Sequence, residues 1–254
     1  MAIFTFERIY TFMRLFIIAI YLIAFLICSL PIIGVITIIH RFDPERADRM
    51  ALRVVQHAFS IIEFLSGVDL TLKGEENIPK DTPVLYIGNH LGFFDIVLTY
   101  CRVPSSTGFI SKQSIFNVPI LRLWMYRLHC IGLDRSNVRQ GMQVILKAID
   151  YVKNGTSIFI FPEGTRSKTG EVLPFKGGSF KVATRSGCPI IPVAITGTDD
   201  VFENHLPWIR KAKVSITYGE PIYVSELSKE EQKALPDRVR QEILQLKEQQ
   251  KLLP

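Results

Sequence analysis

The sequence predicts an α/β fold, a mostly parallel central sheet covered by helices, with an apolar helical segment attached at the N-terminus. Three observations predict it. After Ser66, short β-rich runs alternate with helical stretches, the pattern of parallel strands joined by helical crossovers. Before Ser66, 25 consecutive residues from Leu15 to Ile39 carry no charge. The polar residues that could do chemistry fall just after strand ends, where open α/β sheets place their ligands. A chain of 254 residues suits one domain with an attached element, here residues 1–66 followed by 67–254.

The uncharged run LFIIAIYLIAFLICSLPIIGVITII would make a helix of ~37 Å, enough to cross a ~30 Å hydrocarbon core with tilt. It is too long for a signal peptide and no A-x-A-like cleavage site follows. Pro31 is expected to kink or break it. Arg8 and Arg14 flank it on one side, and Arg41, Arg46, Arg49 and Arg53 on the other. Two arrangements fit: a single transmembrane anchor, or two helices lying in one leaflet with both flanks cytoplasmic. The proline break and the basic flanks favour the second. The following stretch, ALRVVQHAFSIIEFLSG, is amphipathic, with Leu52, Val55, Phe59, Ile62 and Leu65 at helical spacing.

Strands are expected at 68–72, 83–88, 108–111, 129–133, 157–161, 190–195 and 214–218. Helices are expected at 94–100, 118–127, 138–154 and 176–186. The charged tail 228–250 reads as a solvated surface helix. The net charge of +6 is compatible with anionic lipid, phosphorylated substrates or an acidic carrier protein, and does not single out nucleic acid. Cys28, Cys101, Cys130 and Cys188 show no CxxC spacing and no companion ligand set, so neither a disulfide scaffold nor a structural metal is expected. They read as reduced packing residues in a cytoplasmic environment.

The segment NHLGFFD, Asn89 to Asp95, follows the apolar run VLYIG. On one helix, His90 and Asp95 would point about 140° apart. They can meet only if the chain bends between them, which Gly92 permits and turn-prone Asn89 favours. Asp95 could then fix one ring nitrogen of His90 and leave the other as a base. Taken alone, the spacing favours a blander role, a helix-capping Asp95 beside an incidental histidine. No serine or cysteine nucleophile is presented nearby. Three other strand ends carry polar groups: Lys112 after GFIS, Arg135 after CIGL, and FPEGTRS after SIFIF. In the last, Gly164, Thr165 and Arg166 offer a tight loop, a hydroxyl and a guanidinium suited to phosphate. Glu163 could position Arg166, bind a substrate hydroxyl, or brace the turn. FKGG at 175–178 lacks Walker spacing and reads as the glycine-rich start of a helix.

The motifs NHLGFFD, IGLDR, FPEGTRS and IIPVAI, in this order and over about residues 70 to 220, resemble those of the glycerolipid acyltransferase family, and within it the 1-acyl-glycerol-3-phosphate acyltransferases. Leu133 stands where an aromatic or isoleucine is common. The resemblance implies an acyltransferase domain at 67–254 that moves a fatty acyl group from acyl-CoA or acyl carrier protein to lysophosphatidic acid at a membrane, giving phosphatidic acid. It needs no cofactor or metal; the alternatives are an acyltransferase for another lysophospholipid acceptor and a membrane lipid-binding protein without activity, against which the intact His90 and Asp95 count. By position, His90 is the general base and Asp95 its orienter. Arg135, Glu163, Gly164, Thr165 and Arg166 belong to the acceptor site, Pro192 to a motif on the acyl-binding side, and Lys112 is a further basic position. Backbone N–H groups just after His90 are the expected stabilisers of the developing oxyanion.

Overall fold

The computed structural model describes residues 2–134 and 137–251. Seven strands, β1 (Asp69–Lys73), β2 (Leu85–Gly88), β3 (Thr107–Lys112), β4 (Ile131–Leu133), β5 (Ser157–Ile160), β6 (Ile190–Thr196) and β7 (Lys213–Tyr218), form one sheet in the order β1-β7-β6-β2-β5-β3-β4. All neighbours run parallel except β6 and β7. The helices are α1 (Ala2–Cys28), α2 (Leu30–His40), α3 (Pro44–Ser66), α4 (Phe93–Tyr100), α5 (Pro119–Arg127), α6 (Val138–Lys153), α7 (Lys181–Ser186) and α8 (Lys229–Lys251). Every expected strand has its counterpart. The fourth starts later than the pattern suggests. His129 sits in the left-handed region at φ 55°, and the amides of His129 and Cys130 bond back to α5 carbonyls, so the chain is still turning there. The helix expected at 176–186 is two pieces, a 3-10 turn (Gly177–Phe180) and then α7.

Central strands are apolar throughout because both faces are covered. Tyr86, Phe159, Ile191 and Val193 face the cluster that α3 and α4 complete, while Leu85, Ile87, Ile158, Ile190 and Ala194 face α6, α7 and α8. The amphipathic stripe of α3 enters the first core through Leu52, Val55 and Ile62. Gln56 ties α3 to the end of α4 by donating to the carbonyls of Tyr100 and Val103 (3.2 and 2.9 Å). The tail is not a solvated helix. Leu235, Val239 and Ile243 of α8 are fully buried in the second core, and Arg240 and Lys247 donate to carbonyls of the loop at 170–173.

The apolar N-terminal run breaks at Ser29, with Pro31 in the first turn of α2, and the two arms, Met13–Cys28 and Leu30–His40, bend by 45°. No single described helix is long and apolar enough to cross a membrane; the bent pair is so only when taken together. Proline lacks an N–H and its ring crowds the preceding turn. The break is also tied down, since Trp124 Nε1 donates to the buried Ser29 hydroxyl (2.9 Å) and the Trp124 and Phe25 rings stack. Ile20, Ile23, Ile27, Val35 and Ile38 remain more than half exposed. Cys28 is exposed rather than packed, because it points to this apolar outer surface; Cys130 and Cys188 are buried. A polar clasp joins these helices to the α/β part: Asp48 of α3 accepts from Arg127 and from His129 Nε2.

The docked reading of α8 has a measurable consequence. Ile243→Ala is expected to lower unfolding free energy by roughly 2–5 kcal/mol, the cost of a core truncation, seen as an earlier denaturation midpoint. A solvated helix would lose no more than about 0.5 kcal/mol.

Candidate active site

The site forms where β2 and β5 end side by side, in register Ile87 to Ile160. Asn89 leaves β2 first. Its buried side chain donates to the Ile195 carbonyl and accepts from the Ile195 N–H (2.9 and 2.8 Å). It therefore splices the loop to the end of β6, a tighter role than a turn former. The loop that follows β5 is fastened to the same strand end, since Ser167 N–H donates to the His90 carbonyl (2.8 Å).

His90 and Asp95 meet. His90 Nδ1 lies 2.7 Å from Asp95 Oδ2. The Asp95 side chain is fully buried, and it also accepts from the amides of Leu91 (2.6 Å) and Gly92 (2.9 Å) and from the Thr198 hydroxyl. A carboxylate that already takes two amides and a hydroxyl acts as an acceptor, which favours the tautomer with the proton on Nδ1 and a free Nε2. Capping and orienting are thus the same act: the carboxylate that closes the first turn of α4 also holds the imidazole. The ring lies flat on Phe161 (centroids 4.2 Å, 14° between planes) and its side chain is 12% exposed. Gly92 matters for a reason other than bending. Its backbone is extended (φ −159°, ψ −175°), a conformation open to any residue. A Cβ there would stand 2.3 Å from Glu203 Oε2, so a side chain at this position would displace the Glu203 carboxylate.

The donors expected for the oxyanion are already engaged. Leu91 and Gly92 amides point at Asp95, and the Phe93 amide donates to Glu203 Oε1 (2.8 Å). A backbone N–H has one proton to give, so these three do not form an oxyanion hole.

Glu163 is buried (5% exposed) and accepts from the His90 amide at 3.3 Å. Burial pushes its carboxyl up to about 7, against the His90 amide, with nearby Asp95 adding to the rise and Lys247 of α8 opposing it. Its Oε2 lacks a hydrogen bond of good geometry, although the Leu173 peptide weakly favours the charge. Glu163 does not pair with Arg166. That guanidinium lies over the Phe93 ring (4.7 Å) and donates to Glu203 Oε1 (2.9 Å). Gly164 is in the left-handed region at φ 73°, and a Cβ there would meet the Lys176 ammonium at 2.5 Å. The left-handed backbone favours glycine, and the Lys176 ammonium of the FKGG segment stands beside the loop.

Thr165 is exposed beside Arg166, and Lys112 is exposed at the end of β3, opposite Leu133. Arg135 lies outside the described residues. Pro192 is not brought to this group. It is buried in β6 opposite Ile87 and lies against Gly219, because alternation along the strand turns it to the face that α8 covers. Sequence reading missed Thr198, Lys176 and Glu203. Thr198 and Glu203 come from the loop after β6, more than 100 residues from Asp95, and carry no local signal. Lys176 stood in a segment already singled out. Neither of two clefts, of about 780 and 810 Å³, is lined by His90, although the second reaches the neighbouring Leu91 and Lys247.

The raised Glu163 carboxyl predicts a pH effect on stability. A carboxyl near 7 when folded and 4.5 when unfolded binds more protons folded, so it costs stability as pH rises through that interval and the full cost is present above it. Glu163→Gln is expected to gain melting temperature relative to the parent at pH 8 but not at pH 4. Melting curves of both proteins across that range check it.

The profile of the acyltransferase family matches residues 69–196. A chloroplastic 1-acyl-sn-glycerol-3-phosphate acyltransferase of Brassica napus is 36% identical over 157 residues, 61% of this chain and 45% of its own length. The 1-acyl-sn-glycerol-3-phosphate acyltransferase of Borreliella burgdorferi is 29% identical over 196 residues, 77% of this chain and 78% of its own. The chain spans about half the length of the two plant chloroplast relatives it matches. The crystal structure of the 1-acyl-sn-glycerophosphate (LPA) acyltransferase from Thermotoga maritima superposes with a TM-score of 0.82 at 25% identity, covering 96% of this chain and 99% of that one. The matched span runs from β1 to the end of β6 and so encloses both His90 and the FPEGTRS loop; on that evidence the chain belongs to the acyltransferase family.

Proposed function

We propose that this protein transfers a fatty acyl group from an acyl thioester, acyl-CoA or acyl carrier protein, to the sn-2 hydroxyl of 1-acyl-glycerol-3-phosphate, giving phosphatidic acid. The observation that carries the reading is the 2.7 Å contact of His90 Nδ1 with a fully buried Asp95, within a family whose related members are named for this reaction.

His90 Nε2 takes the hydroxyl proton as the oxygen attacks the thioester carbonyl. Collapse of the tetrahedral intermediate breaks the carbon–sulfur bond, and the imidazolium returns the proton to the departing thiolate. No covalent enzyme intermediate, metal or cofactor takes part. General-base assistance by a positioned imidazole contributes on the order of 10²–10⁴ in rate. Charging His90 in mid-reaction is eased by the carboxylate already at Nδ1. Arg166, Lys176 and Lys112 supply positive charge around the loop for the acceptor's phosphate, with Arg166 able to bind it through two donors. Glu163, next to the His90 amide, holds the loop and so the height of the base.

The apolar outer surface of α1 and α2 supports insertion of both helices into one leaflet, and the site is proposed to lie on the cytoplasmic side. Exposed apolar side chains of this extent mark a lipid or protein interface, and a pair bent by 45° suits lying within a leaflet better than crossing it. The long-chain acceptor is then met where it resides.

His90→Ala is expected to abolish phosphatidic acid formation from lysophosphatidic acid and an acyl thioester while the protein still folds cooperatively, with a lowered melting temperature because the buried Asp95 loses one donor. Near-normal turnover in that variant would refute the base assignment. Activity is expected to withstand a chelator, and a chelator-sensitive rate restored by a divalent cation would point to different chemistry. Arg166→Ala is expected chiefly to raise KM for lysophosphatidic acid, by about tenfold, the scale of a lost charge-assisted hydrogen bond.

A further inference from the structure

Glu203 is joined to the site by three contacts that the mechanism above does not use. Its Oε1 accepts from the Phe93 amide (2.8 Å), the first residue of α4, and from Arg166 (2.9 Å). Its Oε2 fills the space beside Gly92, where a Cβ would stand 2.3 Å away. The guanidinium it holds lies over the Phe93 ring at 4.7 Å. Arg166 is therefore fixed on two sides, by a carboxylate at one nitrogen and by an aromatic face beneath the plane. A free arginine side chain samples many rotamers, and ordering it costs free energy on ligand binding. Glu203 removes that cost beforehand.

The loop that carries Glu203 is built to hold it still. Val201 is fully buried and its carbonyl accepts from Arg210 N–H (2.9 Å). The Asn204 side chain bridges Asp199 and Asp200 (3.1 and 2.8 Å), and its amide donates to the Asp199 carbonyl (2.9 Å). Phe202 packs on Phe93 (centroids 6.2 Å). The same loop carries Thr198, which donates to Asp95. One segment after β6 thus touches both halves of the site, the base pair through Thr198 and the cation through Glu203.

We infer that Glu203 is a positioning residue that holds Arg166 over Phe93 in the orientation that receives the acceptor's phosphate. The inference rests on the reading of Arg166 as an acceptor ligand. Glu203 does not touch the reacting atoms, so its removal loosens acceptor binding and leaves the chemical step in place.

The test is a double-mutant cycle on the full chain in detergent, with lysophosphatidic acid and an acyl-CoA as substrates. Glu203→Ala is expected to raise KM for lysophosphatidic acid about tenfold with kcat within about twofold. In the Arg166→Ala background the same replacement is expected to change KM less than about twofold, because there is no guanidinium left to position. Glu203→Gln keeps an acceptor oxygen for both donors and is expected to recover most of the loss. Should Glu203→Ala fail to fold, Glu203→Asp, which withdraws the carboxylate by one methylene, takes its place in the cycle and is read in the same way. An equal effect in both backgrounds, or a collapse of kcat with KM unchanged, overturns the inference while leaving Arg166 an acceptor ligand. An unchanged KM in Arg166→Ala alone overturns the acceptor reading, and the inference with it.

Discussion

A buried carboxylate is costly unless donors surround it, and Asp95 solves this with two backbone amides, a threonine hydroxyl and an imidazole. The requirement is reciprocal. The first turn of α4 needs an acceptor for its free amides, and the histidine needs a partner that fixes its tautomer. Both needs converge on one oxygen atom, Oδ2. The orientation of His90, the entry into α4 and the seat of Thr198 therefore depend on the same carboxylate. Loss of Asp95 would leave amides unsatisfied in the interior as well as an imidazole without a guide.

The sheet supplies the rigidity that this cluster needs. β2 and β5 are buried on both faces, so the strand ends that emit His90 and Glu163 cannot shift independently. Asn89 extends the β2–β6 contact by one side-chain step through Ile195. Ser167 closes the β5 loop back onto His90. Aromatic stacking of His90 on Phe161 then sets the plane of the ring. The N-terminal helices enter the same core rather than standing apart: Ile36, Ala51 and Ile62 belong to the cluster that contains Tyr86 and Val193. An apolar outer surface on α1 and α2 is in this way continuous, through one core, with the strand that leads to His90.

The order of the elements was readable from the chain because it rests on local signals. All seven strands and the crossover helices follow hydrophobic runs broken by turn residues, and Pro31 marks the helix break at Ser29. Composition misled where burial depends on a partner. α8 has so many charges that its single buried stripe, Leu235, Val239 and Ile243, was hidden among them. Pro192 belongs to a motif, but strand alternation turns it to the α8 face. Gly92 looked like a hinge and is instead a vacancy that Glu203 fills.

The sequence by itself determined which chemistry is present: an imidazole and a carboxylate five positions apart after an apolar strand, and a glycine–threonine–arginine loop after another. These depend only on residue type, spacing and the habit of parallel sheets to gather ligands at strand ends. Tertiary structure alone decided how each group is used. It brought Thr198 to Asp95 and Glu203 to Arg166 from a loop beyond β6, and it gave the Leu91, Gly92 and Phe93 amides to carboxylates rather than to a substrate oxygen. The physical reason is that a hydrogen bond is settled by where partners meet in space, and partners far apart along the chain leave no mark on the local pattern of either segment.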